Sequence, residues 1–91
     1  MKFTFDLKKS ERNWADPARG KDFTEAQALW ALDCLTVSKN LNSGEVVEMR
    51  AGFYQGQVWA AMYVTRGEEI RILSFRRLNI RERRKYGFSQ E

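Results

Sequence analysis

The chain has 91 residues, of which 43% are hydrophobic and 13% aromatic, and 16 Lys or Arg against 12 Asp or Glu give it a net charge of +4. This length predicts one small domain spanning residues 1–91 around a single core. Histidine is missing and Cys34 is the one cysteine, so a Ser-His-Asp triad, a paired-histidine ribonuclease mechanism and the usual zinc sites are excluded. We therefore expect no cofactor and no metal site.

The cellular location is also indicated by what the sequence lacks. No apolar run reaches the roughly 18 residues of a membrane span, and the N-terminus has neither the apolar region nor the cleavage site of a signal peptide. A lone cysteine agrees with a reducing compartment, and Cys34 is expected in the core rather than as a nucleophile. We expect a cytoplasmic protein that does not contact membranes.

The N-terminus predicts a strand followed by a helix. Residues 2–5 alternate polar and aromatic side chains, which is typical of a short edge strand whose two phenylalanines point inward. Asp6 has the position of a helix N-cap, and Asp16-Pro17 ends the helix because the residue before proline avoids helical backbone angles. Trp14 is expected to anchor this helix in the core. The face that carries it contains Leu7, Ser10 and Trp14.

A second helix is predicted to begin at Thr24, because Thr24 and Gln27 have the spacing of a capping box. Trp30 lies on the apolar stripe of this helix and is expected to be a core residue rather than part of a binding surface. The stripe contains Ala26, Leu29 and Trp30.

From residue 45 onwards the hydrophobic period is two. Strand-like runs at residues 45–51, 57–65 and 69–75 are joined by short connections that contain glycine, which predicts a three-stranded antiparallel meander. The middle run is apolar on both faces and is expected to be the central strand. Trp59 and Tyr63 on that strand are either packed in the interior, which we favour, or exposed as a surface for stacking bases.

The stretches on either side of the meander are shorter. Residues 35–37 have strand composition, and residues 38–44 are a predicted loop. After the meander, Asn79 and Glu82 repeat the capping-box spacing, and Gly87 is suited to end a short helix. The predicted fold class is therefore α+β: an antiparallel sheet, made of the meander and the short N-terminal strand, packed with two N-terminal helices and a short C-terminal helix.

Positive charge is concentrated in the last third of the chain. The segment from Arg66 to Lys85 has eight Arg or Lys against three acids, a local charge of +5, so the remainder carries about −1. Guanidinium groups clustered on a strand and a helix favour a polyanion, because each is a planar fork that matches phosphate geometry. Nucleic acid is the leading candidate. The expected RNA-binding residues are Arg66, Arg81, Arg83, Arg84 and Lys85.

One hydrolytic reaction suits this inventory of side chains: cleavage of RNA by its own 2′-hydroxyl, with arginines stabilising the charge that develops on the phosphate. Three arginines in or directly after the last predicted strand, Arg71, Arg76 and Arg77, are candidates for this role. Strict alternation puts Arg71 and Arg77 on one face and Arg76 on the other, unless the strand ends or twists near residue 76. The proton acceptor is left open among Glu45, Glu48 and a lysine such as Lys9, and Tyr86 could orient the phosphate or donate a proton.

The same residues carry a resemblance to a known family. The run Arg71-Ile72-Leu73-Ser74-Phe75-Arg76-Arg77, preceded by Gly44-Glu45 and followed by Glu82 and Tyr86, resembles the C-terminal part of the BrnT toxins. The opening is similar too. It contains Phe3, Phe5-Asp6, Lys9, Asn13 and the segment Arg19-Gly20-Lys21-Asp22-Phe23.

The resemblance implies a RelE-like ribonuclease toxin encoded with a BrnA-like antitoxin that has a ribbon-helix-helix domain, the complex binding its own promoter DNA. Three positions depart from the family pattern: Arg19 stands for a histidine, Val47 for an arginine and Phe5 for a tryptophan. If the position of Val47 normally holds phosphate, the activity or target of this chain is altered. The catalytic residues implied by position are Lys9, Glu45, Arg71, Arg76, Arg77 and Tyr86.

Two other interpretations remain. The first is a binding module without catalysis, in which the basic strand and helix hold nucleic acid or an acidic partner segment; it predicts salt-sensitive RNA binding without cleavage. The second treats the arginines as the solvated surface of a small basic protein and predicts no salt-sensitive binding at all.

Overall fold

The computed structural model describes residues 1–41 and 43–88, and these residues form five strands and three α-helices. Helix α2 continues directly into a 3-10 helix, Gln27–Ala31. In chain order the elements are β1 (Lys2–Phe5), α1 (Leu7–Ala15), α2 (Phe23–Ala26), β2 (Leu35–Asn40), β3 (Val46–Tyr54), β4 (Gln57–Arg66), β5 (Glu69–Arg77) and α3 (Ile80–Lys85).

The five strands form one sheet in the order β1-β5-β4-β3-β2. Strands β3, β4 and β5 are the predicted antiparallel meander, and β4 is central as predicted. Strand β1 is an edge strand, also as predicted, but it pairs parallel to β5, with Lys2 opposite Glu69 and Phe5 opposite Ile72. The sheet is therefore mixed, and the predicted antiparallel sheet is wrong at this edge. A period of two assigns side chains to faces, but it does not identify the neighbouring strand.

The other edge of the sheet is strand β2, which the sequence only partly predicts. Residues 38–40 were expected in a loop, yet Lys39 lies opposite Val47 and Asn40 opposite Val46 in an antiparallel pair. The strand is polar and largely exposed, as is common for edge strands that must not attract another chain. Asn42, within the same predicted loop, lies outside the described residues.

Hydrophobic side chains pack on both faces of the sheet. On the face covered by the N-terminal helices, Phe23 and Leu29 meet Trp59 and Phe75. On the opposite face, Leu78 meets residues of β3 and β4, with Tyr86 and Phe88 packed against them; the buried members of this cluster are Met49, Ala51, Val58, Ala60 and Leu78. Trp59 and Tyr63 are only 3% and 5% exposed, so they are packed and do not offer a surface for stacking bases.

Helix α1 begins and ends where the sequence predicts, but it turns a different side inward. The Asp6 carboxylate accepts hydrogen bonds from the backbone N–H groups of Lys8 and Lys9, at 2.9 and 3.1 Å. Trp14 is 64% exposed, so its prediction as a core anchor is wrong. The buried residues of α1 are Ser10 and Asn13. Hydrogen bonds, rather than apolar contacts, fix this face of the helix, because the Ser10 hydroxyl accepts from the Phe23 N–H at 2.9 Å.

Helix α2 begins one residue earlier than expected. Its N-cap is Asp22, whose carboxylate accepts from the Glu25 N–H at 2.9 Å, so the predicted cap at Thr24 is wrong. Trp30 is partly buried against the core as expected, with edge-to-face contacts to Phe3 and Tyr63 at ring-centroid distances of 5.1 and 4.9 Å.

Cys34 packs against the helix-side core, and burial raises the pKa of its thiol. It also lies against the backbone of β3. A Cβ placed on Gly52 would be 2.6 Å from the Cys34 sulfur, which is closer than a Cβ atom approaches a neighbouring atom in folded proteins. Gly52 therefore lets β3 pass close to Cys34. Cys34 is thus partly buried against the core, in agreement with the prediction.

Candidate nucleic-acid interface

A register shift in β5 sets the direction of the three predicted arginines. Met62 of β4 lies opposite Ser74, but the next residue, Tyr63, lies opposite Ile72, so Leu73 is an extra residue in the ladder. Such a bulge reverses the alternation of side chains beyond it. The prediction that Arg71 and Arg77 share a face is therefore wrong. Arg71 and Arg76 share the face of the sheet away from α1, and Arg77 lies on the α1 face. Their partners on β4 are Val64, Ala60 and Trp59, respectively.

Arg76 is engaged in an ion pair with Glu82. Its two terminal nitrogens donate to the two carboxylate oxygens at 2.8 and 2.7 Å. This contact is the main cause that lowers the pKa of Glu82 to about 2, and it raises the pKa of Arg76. Glu82 also accepts from the Asn79 N–H at 3.0 Å and so completes the predicted capping box. The pair fastens the end of β5 to the first turn of α3.

Glu45 lies at the far end of the sheet from Arg77. It accepts two hydrogen bonds from Arg66, at 2.8 and 3.2 Å, and Arg66 lies opposite Glu69, the first residue of β5. Arg77 is the last residue of that strand, so the two sites are separated by roughly 26 Å at the usual rise per residue. One phosphate cannot contact both Glu45 and Arg77.

A large cavity lies at the end of the sheet that contains Arg77, away from Glu45, where β4 begins and β5 ends. We name it the end cavity; its volume is about 580 Å³. Two predicted residues, Arg77 and Arg83, line it. No carboxylate lines it, and neither guanidinium lies within 4.0 Å of a carboxylate in residues 1–41 and 43–88. The lining residues are Ala18, Phe53, Gly56, Gln57, Val58, Arg77, Leu78, Asn79 and Arg83.

Neutral contacts hold the two guanidinium groups in place. Arg77 donates to the side-chain oxygen of Gln57 at 3.2 Å and to the backbone oxygen of Ala18, and it lies 5.6 Å from the centre of the Trp59 ring. Arg83 donates to the backbone oxygen of Leu78 at 2.9 Å. A guanidinium has five N–H donors. Each arginine therefore keeps donors for an anion while its position is fixed.

A second cavity, which we name the α1 cavity, has a volume of about 320 Å³. It brings together Lys9 with Asn13 and Arg19, residues that the resemblance had singled out. The loop that separates it from the end cavity is short, because Asp16 lines one cavity and Ala18 the other. The α1 cavity is lined by Lys9, Arg12, Asn13, Asp16, Arg19, Phe23 and Leu73.

Asn13 fixes the floor of the α1 cavity. Its amide NH2 donates to the backbone oxygens of Lys21 and Phe75 at 2.6 and 2.8 Å, and its amide oxygen accepts from Arg19 at 2.9 Å. Arg19 also lies 3.8 Å from the Asp16 carboxylate. Arg19, which the resemblance places where a histidine is common, is thus held by a buried amide and a nearby carboxylate.

The remaining predicted residues lie apart from both cavities. Arg71 and Tyr86 are half-buried on the face of the sheet that also holds Arg76, and Val47, which stands where the family has arginine, is buried. Lys85 lies 5.3 Å from the centre of the Tyr86 ring. The exposed members of the predicted set are Arg66, Arg81, Arg84 and Lys85.

Sequence reasoning missed three residues that line the end cavity: Phe53, Gln57 and Asn79. Phe53 was hidden because residues 52–56 read as a loop, whereas β3 extends to Tyr54. Asn79 was recognised only as a helix cap. The sequence did contain one signal of a binding site, an aromatic residue, Phe53, just before the turn at Gly56 and the amide of Gln57.

In residues 1–41 and 43–88, no helix is long and apolar enough to cross a membrane. The same residues contain no group of three or more His, Cys, Asp or Glu side chains that could hold a metal ion.

An α+β domain has the charge and shape of a polyanion-binding protein when a cavity contains two guanidinium groups that no carboxylate of the described residues pairs with. Residues 5–82 match the family described as ribonuclease toxin, BrnT, of type II toxin-antitoxin systems. Because the match covers most of the chain, the chain belongs to the BrnT family, as the resemblance predicted. No curated protein and no solved structure matches it.

Proposed function

We propose that this chain is a metal-independent endoribonuclease that holds its RNA substrate at the end cavity. One observation carries the proposal: Arg77 and Arg83 line one cavity of about 580 Å³, and no carboxylate of the described part of the chain lines it. Two fixed cations that have no carboxylate within 4.0 Å among residues 1–41 and 43–88 favour a polyanion, and the arginine fork suits a phosphate better than a lysine does. The family supplies the identity of the polyanion, since BrnT proteins are ribonuclease toxins.

In the proposed reaction the ribose 2′-oxygen attacks the adjacent phosphorus. The O2′–P bond forms, the P–O5′ bond breaks, and the products are a 2′,3′-cyclic phosphate and a 5′-hydroxyl. A basic group takes the proton of the 2′-hydroxyl, and the leaving 5′-oxygen gains a proton. Arg77 and Arg83 stabilise the negative charge that grows on the phosphate oxygens. Removing one hydrogen-bond donor of this kind typically slows an enzyme by about 100- to 1,000-fold.

Lys9 is the proposed proton acceptor among the predicted candidates. It lines the α1 cavity together with Asp16, and the loop that begins at Asp16 also carries Ala18, whose backbone oxygen accepts a hydrogen bond from Arg77. An RNA strand crossing this loop would also meet the cations of the α1 cavity, Arg12 and Arg19. Glu45 is disfavoured as the base for a phosphate at Arg77, because it lies roughly 26 Å away.

Arg76 has a positioning role in this proposal. Its ion pair with Glu82 fixes the first turn of α3, and Arg83 is the next residue of that helix. Arg71 and Tyr86, on the same face as Arg76, remain proposed site residues without a contact to either cavity. Arg66, Arg81, Arg84 and Lys85 are proposed to attract RNA through their exposed charge.

The partner is proposed from the same family. Type II systems include an antitoxin, and we propose a BrnA-like protein with a ribbon-helix-helix domain, whose complex with this chain binds promoter DNA. A RelE-like fold is part of this proposal and comes from the resemblance.

The proposal is tested by incubating the purified chain with single-stranded RNA in EDTA. We expect cleavage that yields 2′,3′-cyclic phosphate and 5′-hydroxyl ends, and a single 2′-deoxy substitution at the cleaved position should block it. Cleavage that needs an added divalent cation, or that leaves a 5′-phosphate, would contradict the mechanism.

The alternative function is RNA binding without cleavage. It is favoured by one observation: apart from its two arginines, the end cavity is lined by apolar residues, glycine and neutral amides, with no general base among them. Salt-dependent binding of RNA that stays intact in the same assay would support this alternative.

A further inference from the structure

We propose that the end cavity also contains a subsite for one nucleobase of single-stranded RNA, with Phe53 as the stacking surface and two side-chain amides as readers of the base edge. This inference rests on the proposed function, because it takes RNA as the ligand. It goes further by assigning a base-recognition role to residues that phosphate binding does not require.

Phe53 is an aromatic residue placed where a base could reach it. It is 49% exposed although it belongs to β3, and it lines the same cavity as Arg77 and Arg83. An edge-to-face contact with Phe88, with ring centroids 5.6 Å apart and planes at 80°, holds the ring in position. Aromatic rings of this kind bind bases by stacking, and the preference among bases is weak.

Gln57 and Asn79 supply the polar part of the subsite. The amide oxygen of Gln57 accepts from Arg77 at 3.2 Å, and that of Asn79 accepts from the Glu82 N–H at 2.9 Å. These bonds assign the oxygen of each amide, because only an oxygen can accept there. In the described part of the chain neither NH2 group has a hydrogen-bond acceptor of its own.

Two amide groups with free donors favour a base edge that carries acceptors. Uracil presents two carbonyl oxygens, and guanine presents O6 and N7 on one edge. Adenine has only ring nitrogens as acceptors and adds an NH2 donor, which would face the protein's own donors. The subsite is therefore expected to favour uracil or guanine over adenine. A volume of about 580 Å³ is in the range of sites that hold small ligands.

The test compares the affinity of Phe53→Leu and wild type for a 2′-O-methyl uridine oligomer, which cannot be cleaved. We expect Phe53→Leu to bind about 5- to 150-fold more weakly, because it loses the stacking of one base on an aromatic ring. Phe53→Trp keeps an aromatic ring and should bind nearly as wild type does. An oligomer made abasic throughout should bind Phe53→Leu and wild type equally. Trp14→Ala, which removes an exposed aromatic residue that does not line the end cavity, is the matched control and should bind as wild type does.

Base preference is tested with Gln57→Met, which keeps the length of the side chain and removes its donors. Wild type should bind the uridine oligomer more tightly than the adenosine oligomer, and this ratio should fall in Gln57→Met. Equal binding by wild type and a folded Phe53→Leu, in a chain that still cleaves RNA, would overturn the subsite and leave the proposed function intact. A wild-type chain that neither binds nor cleaves RNA would overturn both.

Discussion

Arg76 and Glu82 form a two-pronged ion pair that joins the last strand of the sheet to the last helix, with nitrogen–oxygen distances of 2.8 and 2.7 Å. Both side chains are less than one-third exposed, so the pair is better protected from solvent than a surface salt bridge. Since Arg83 follows Glu82 directly and lines the end cavity, the ion pair also positions Arg83 in the wall of that cavity.

This ion pair predicts a pH dependence of stability. The folded-state pKa of Glu82, about 2, lies below its ordinary value of 4.5, so its contribution is fully present above about pH 5 and is lost as the pH falls towards about 2. Glu82→Gln should lower the free energy of unfolding by up to about 3 kcal/mol at neutral pH, with the difference from wild type shrinking towards acid. Urea unfolding across this range measures it.

The control for this prediction is Glu68→Gln, which changes an exposed carboxylate and should alter stability by less than about 0.5 kcal/mol. A Glu82→Gln effect that is the same at pH 7 and near pH 2 would show that the ion pair does not stabilise the fold in this way.

In α1 the polar residue Asn13 should contribute more to stability than its large aromatic neighbour Trp14. Asn13→Ala removes the hydrogen bonds that Asn13 donates to the Phe75 backbone oxygen, which is buried, and to the Lys21 backbone oxygen, which is part-buried, so we expect a loss of about 2 kcal/mol or more. Trp14 is exposed, and Trp14→Ala should cost less than about 1 kcal/mol. Chemical denaturation of both variants measures the order, and a larger loss for Trp14→Ala would mean that the helix packs on its apolar side.

The contact between Gly52 and Cys34 predicts coupling between two substitutions. Gly52→Ala forces a methyl group against the Cys34 sulfur and should destabilise the protein by about 1–3 kcal/mol. Cys34→Ala removes the sulfur, so the double variant should be more stable than the sum of the two single changes predicts. The free energies of unfolding of the four proteins complete the cycle. Strict additivity would mean that the two residues do not meet.

The sequence predicted much of the fold because local patterns determine it. The three strands of the meander follow from the period of two, and the caps at Asp6 and Asn79 follow from side chains that accept nearby N–H groups. The sequence-based prediction failed where a contact between residues far apart in the chain determines the structure. The parallel partner of β1 lies more than sixty residues away, and Asn13 is buried only because the distant Phe75 offers an acceptor.

The candidate site was predicted in its residue types more than in its geometry. Arg77 and Arg83 were named, but the bulge at Leu73 has no sequence signal, and it reversed the expected grouping of Arg71, Arg76 and Arg77. Glu45 was named beside them, and the length of β5 separates it from Arg77. Spacing along the chain does not reveal which basic residues are neutralised by a carboxylate and which are left for a ligand.

If Arg77 and Arg83 together hold the RNA phosphate, the double variant Arg77→Gln, Arg83→Gln should lose both cleavage and part of the salt-dependent binding. Its matched control is Lys2→Gln, Lys39→Gln, which removes the same charge from the opposite end of the sheet. Thermal unfolding verifies that both variants are folded. Each is then compared with wild type for RNA cleavage in EDTA and for binding of 2′-O-methyl RNA across a salt series.

We predict that the Arg77, Arg83 variant loses at least about 100-fold in cleavage rate, and that its log–log slope of affinity against salt falls by about 1.4, the value of two single-strand phosphate contacts. The control should lose less than about tenfold in rate, because its charges act only at a distance. A folded Arg77, Arg83 variant that cleaves and binds RNA as the control does would contradict the account.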